Sequence, residues 1–146
     1  MQFFFGQWQF YALGSALFAA MTAILAKMAL VQVNSNLATF IRTIVILILS
    51  AMVVSWRSQW LDCTRLTKNT LLFLVLSGLA TGASWLCYYR ALQLAPASLV
   101  APIDKLSVVL VILLGYLLLG ETLSWPIIAG AALILAGVLI LCIFAG

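Results

Sequence analysis

Histidine is absent from this chain, and acidic residues nearly so: three aspartates and glutamates stand against seven lysines and arginines in 146 residues. Without histidine, and with Cys63, Cys87 and Cys142 widely spaced and lacking a CxxC pair, the usual donor sets for zinc are missing. Their odd number also frames no disulfide scaffold, so they read as small apolar filler. No nucleophile elbow is visible, and no carboxylate has a second carboxylate at a useful spacing; neither an enzyme nor a bound cofactor or metal is expected. The cations are not clustered on a polar stretch, as a nucleic-acid surface would need. Charged residues make up 7% of the chain, against roughly a quarter in soluble domains, which leaves little surface suited to water.

What the chain has instead is apolar length. Hydrophobic residues make up 66% of it and the mean hydropathy is +1.26. Runs near the ~20 residues that cross ~30 Å of hydrocarbon predict five membrane helices over 10–31, 37–56, 70–92, 98–119 and 125–144, in one domain spanning 1–146. A β-barrel would alternate apolar and polar positions, whereas Ile44 to Leu49 and Leu110 to Leu114 are apolar on every face. The expected fold is all-α and membrane-embedded. The opening MQFFFGQWQFYALG lacks a basic region and a small-residue cleavage site, so the first helix is expected to be retained.

Several polar and small residues interrupt these runs. In the first span, Ala16, Ala20, Ala23 and Lys27 share a face that should meet protein. Lys27 reads either as a side chain snorkelling to the interface or as part of a pathway. Asn34 or Asn36 would cap the second span, where the apolar neighbours of Arg42 favour snorkelling. The third span aligns Gly78, Gly82, Trp85 and Tyr89. Its glycines would allow a close backbone approach, and its aromatics would pack inside or wall a ligand. Arg90 closes it.

The fourth span carries the most costly residues, Asp104 and Lys105, just after Pro102. Proline removes the donor for the Ser98 carbonyl and bends the helix, making polar backbone available beside Asp104. On a continuous helix Lys105 lies about 100° from Asp104 and should not face it. The carboxylate should then turn, along a face with Ala97, Ala101, Val108, Val111 and Gly115, toward another helix. Gly120 stops this span, Glu121 reads as a solvated charge in the turn, and Ser124-Trp125-Pro126 opens the last helix, where Gly130 and Gly137 suit helix packing.

Arg57, Arg65 and Lys68, against Asp62, make the loop between spans two and three basic, which places that loop and the N-terminus in the cytoplasm. Trp8, Trp56, Trp60 and Trp125 then share the inner interface. So threaded, Lys27, Arg42, Arg90, Asp104 and Lys105 all fall in the outer half of the bilayer. They are expected to form one polar chamber, with Asp104 balanced by Lys27, Arg42 or Arg90 and a surplus of positive charge for an anionic or zwitterionic small molecule.

The stretch RALQLAPASLVAPIDKLSVVLVILLGYLLLGETLSW, residues 90–125, resembles the EamA-type drug/metabolite transporter superfamily. The resemblance lies in the arginine-alanine-leucine helix end, the two prolines around a small-residue segment and the leucine-glycine-glutamate turn. SALFAAMTAILAKMAL and NSNLATFIRT are similar to its first half, so nearly the whole chain is covered, in the half-size, five-helix bacterial and archaeal class. The resemblance implies an inner-membrane carrier, often an exporter, built from two inverted five-helix halves, of which this chain is one. It implies a homodimer of opposite orientations or a homologous inverted partner in the bilayer. It also places Lys27 in the helix where small multidrug-resistance relatives carry their proton-coupling acid, leaving Asp104 as the substitute. The alternative is a noncatalytic membrane subunit that stabilises or regulates a partner protein.

Overall fold

The computed structural model describes residues 6–61 and 66–144. All regular elements among them are helical: α1 (Gln7–Ala29), α2 (Ser35–Trp56), α3 (Lys68–Leu94), α4 (Ala97–Asp104), α5 (Leu106–Leu119) and α6 (Trp125–Phe144). Taking α4 and α5 together as one span, five are long and apolar enough to cross a membrane. The chain is a multi-pass membrane protein. Asp62, Cys63 and Arg65, which contribute to the loop used to argue orientation, lie outside the described residues, as do the first five residues and the last two. The helices form two compact units, Met1–Leu94 and Ala95–Gly146.

In the first unit α3 packs on both α1 and α2, most extensively on α2. Asn34 caps α2, its side chain accepting from the Asn36 N–H at 2.9 Å, which settles the choice between the two asparagines. Burial is confined to one end of the unit. Ala23, Ala26 and Leu30 close α1, Ser35 and Thr39 open α2, and Tyr89 and Leu92 close α3; all are buried, Leu92 completely. Thr39 is satisfied by donating to the Ser35 carbonyl at 2.8 Å.

Within this chain, the small-residue face expected along α1 is covered at one end. Ala16 and Ala20 are exposed, and only its last turns meet protein. The glycines of α3 are likewise uncovered within the chain. A Cβ added at Gly78 or Gly82 meets no described atom within 4 Å, so neither serves close packing within the chain. The short connection at residues 30–34 and the bonds described below tie the buried end of the unit together.

In the second unit α4 and α5 both pack on α6. The fourth span is interrupted at Lys105, where the backbone tightens to i→i−3 bonds, Lys105 N–H to the Pro102 carbonyl and Val108 N–H to the Lys105 carbonyl, each 3.0 Å. The departure from regular α-helix expected at Pro102 thus falls three residues beyond it, with Lys105 still in the right-handed helical region at φ −68° and ψ −8°. The single face drawn from Ala97 through Asp104 to Gly115 does not continue across this step. Gly120, at φ 68°, ends α5 in the left-handed conformation, and the N–H groups of Gly120 and Glu121 both turn back to the Gly115 carbonyl. Glu121 is exposed in the turn, and its carboxylate lies over Gly115, where a Cβ would be 2.7 Å from Oε2. On α6, Gly130 and Gly137 face open space, so the packing expected of them is not made by this chain.

Candidate functional site

Two sets of the expected residues are placed by these elements, one in each unit. In the first, α2 delivers Arg42 as its eighth residue, about 10 Å along the helix, against the aromatic end of α3. The guanidinium lies over the face of Trp85, with Cζ 3.1 Å from the ring centroid, and 5.7 Å from the ring centre of Tyr89. Trp85 is itself held edge-on by Tyr88 at 5.6 Å and by Tyr89 at 5.8 Å. Arg42 does not reach out to an interface as its apolar neighbours suggested. The reason is pairing: α2 lies on α3, and a delocalised planar cation gains more on an indole face than alongside lipid.

Lys27 and Arg90 make hydrogen bonds at the same end. Lys27 Nζ donates to the backbone carbonyl of Leu92, one of the last-turn carbonyls of α3 that lack a partner within the helix. Arg90 Nη1 donates to Gln93 Oε1 at 3.1 Å, and Gln93 Nε2 donates to the Val33 carbonyl at 3.1 Å, so α3 is fastened to the turn between α1 and α2. Beside Arg42 is a cavity of about 350 Å³, walled by Thr22 and Ala26 of α1, Ala38 and Ile41 of α2, and Tyr89 of α3.

The second set sits at the helix interruption. Lys105 Nζ is 3.8 Å from Asp104 Oδ2, with 56% and 40% of the respective side chains exposed. This corrects the expectation that Lys105 cannot face Asp104. The 100° separation holds along an unbroken α-helix, and these two residues stand at the step where it breaks. Among the described residues, the ion pair that Asp104 makes is with Lys105. Pro102 and Lys105 line a groove of about 460 Å³ with Leu133, Gly137 and Val138 of α6.

Sequence reasoning missed Tyr88, Gln93 and Thr22. Tyr88 and Gln93 carry polar groups in the last turns of α3, and Thr22 lies one helical turn before Ala26, so each had a signal in composition but none that named its partner.

An all-helical chain of five apolar spans, one of them broken at a charge pair, matches the EamA-like transporter family over residues 6–143. The chain belongs to that family. It is 53% identical over 137 residues to a Sinorhizobium sp. protein described as an uncharacterized transporter in the cobO 3' region, covering 94% of this chain and 97% of that relative. No solved structure matches this EamA-like protein. Family and relative together point to a membrane transporter.

Proposed function

We propose that this EamA-like chain is a secondary transporter that exports a small metabolite from a bacterial or archaeal cell across the inner membrane. It works by alternating access as one member of an antiparallel pair, either two copies in opposite orientations or one copy with a homologous inverted partner. The observation that carries this reading is the step at Lys105, where the span tightens to i→i−3 bonds beside an ion pair. Charged groups are costly in hydrocarbon and are kept where they face protein or a wet pathway. Broken helices of this kind build the sites of carriers with inverted repeats. An odd number of spans leaves the two ends of one copy on opposite sides of the bilayer, so a second, inverted set of five would complete such an architecture.

In this reading Asp104 is the coupling residue, with Lys105 as its counter-charge, and the N-terminus is cytoplasmic in one orientation of the pair. The test is uptake into liposomes by the purified protein under an imposed proton gradient, screened over labelled amino acids, sugars, nucleotides and carboxylates. Gradient-driven flux of one class is expected, and Asp104→Asn should abolish it while leaving insertion intact. Flux unchanged by Asp104→Asn removes that residue from the mechanism. No flux of any class from an intact fold would leave the noncatalytic-subunit reading. Protease-cleavable tags at both termini, scored in sealed vesicles, should be cut in two populations if identical copies pair in opposite senses.

A further inference from the structure

The carrier reading leaves open what is carried, and the cavity beside Arg42 limits the answer. The described part of the first unit holds Lys27, Arg42, Arg57, Lys68 and Arg90 and no aspartate or glutamate. Lys27 is engaged with the Leu92 carbonyl and Arg90 with Gln93, while Arg42 borders the cavity. Trp85 covers the face of the guanidinium and the Tyr89 side chain hydrogen-bonds it, which leaves in-plane N–H donors of the fork without an opposite charge. A charge that stays ionised in apolar surroundings calls for an opposite charge with acceptors in matching geometry.

Resting on the transporter reading above, we infer that Arg42, held flat by Trp85, binds the oxyanion of a small monoanionic cargo whose apolar body fills the cavity between α1, α2 and α3. The single charge follows from the single cation on the wall. A dianion would bring an uncompensated charge among Ala26, Ala38 and Ile41. The size follows from about 350 Å³, near the lower end for ligand sites and suited to a phenyl ring or short branched chain. A lipid phosphodiester shares the same charge, but two acyl chains exceed that volume, so the inference commits to a carboxylate on a compact apolar body. Trp85 is a positioning residue: it fixes the plane of the fork without touching the anion.

The experiment measures binding, not flux, on the purified full chain in neutral detergent. The probes are phenylacetate, its uncharged isostere phenylacetamide, and phosphatidylglycerol. Phenylacetate should bind about 10- to 100-fold more tightly than phenylacetamide, as expected for one charge-assisted interaction. Arg42→Gln should bring the two probes level. Arg42→Lys should recover only part of the difference, because an ammonium lacks the planar fork. Trp85→Leu should cost phenylacetate roughly 3- to 10-fold, with Trp85→Phe restoring most of it. A merely structural role for Trp85 would weaken both probes alike.

Equal affinities in the unmodified protein overturn the inference, as does a preference that survives Arg42→Gln, or protection by phosphatidylglycerol alone. Should Arg42→Gln fail to fold, as judged by helicity, Ala38→Leu decides the matter. It fills the cavity and must weaken phenylacetate binding, and unchanged binding sinks the site. The two readings fail separately. Binding of phenylacetate without liposome flux of any class leaves the site and removes the carrier, whereas flux of another cargo with no preference for the anion leaves the carrier and removes the site.

Discussion

The two ends of the three-helix unit are built from similar apolar residues and behave differently. At one end Ala23, Ala26, Leu30, Tyr89 and Leu92 are buried and Lys27, Arg90 and Gln93 make the ties described above. At the other, Trp8, Trp56, Leu71, Leu72 and Phe73 are all more than half exposed. The difference shows that hydrophobicity does not hold membrane helices together, since lipid tails accept a leucine as readily as a neighbouring helix does. Small residues and polar ties decide which end closes. The closed end is also the end that holds Arg42 against Trp85, so the packing that stabilises the unit is what makes a cation available to a cavity.

The largest expected break in this contrast is Leu92→Ala against Leu72→Ala. Leu92 is 0% exposed and Leu72 is 54% exposed. The buried change should cost about 2 kcal/mol, the low end for soluble cores because lipid removes much of the transfer term and leaves the cavity term. The exposed change should stay within about 0.5 kcal/mol. Unfolding of detergent-held protein by added dodecyl sulfate, followed by helicity, measures both, and equal losses would erase the contrast. Next in size is Lys27→Met, which removes the donor to the Leu92 carbonyl and should cost about 1.5 kcal/mol. Lys68→Met at the open end, an exposed position, should cost nothing measurable by the same assay.

Which end would close was only partly legible beforehand. Apolar length marks the five spans, Asn34 marks the start of α2, and Gly120 marks the end of α5, because each of these is a local property of chain and solvent. Periodicity then places Trp85 and Tyr89 on one face of α3 but cannot say that Arg42 of α2 will lie on it. That depends on which helices pair, and in a chain apolar on nearly every side no stripe points to a partner. Asp104 and Lys105 were misplaced for a different reason. An angle of about 100° between neighbours holds only on an ideal helix, and Pro102 removes one of the hydrogen bonds that keep a helix ideal.

A smaller effect sharpens the contrast from the open end. Ser58, just past α2, has φ 53°, a conformation that costs a residue with a Cβ roughly 1 kcal/mol. Ser58→Gly should therefore raise stability by about that amount, since no described helix contact depends on the Ser58 side chain. A loss instead would mean that the serine hydroxyl, or the rigidity it lends the turn, is used by something at that end.

The smallest expected change is the most informative about what covers the open end. No described residue meets a Cβ at Gly82, so in an isolated copy Gly82→Ala should be neutral or stabilising by up to about 1 kcal/mol, through the lower entropy cost of alanine in a helix. In an antiparallel pair, a second helix lying close on α3 would turn the same methyl into an obstacle, and the sign would reverse. Measuring Gly82→Ala at high dilution in detergent and again at high protein-to-lipid ratio in a bilayer separates the two. A gain in detergent that becomes a loss in the bilayer places another copy on this face, whereas the same gain in both means that lipid covers it and the pair must be built through another helix.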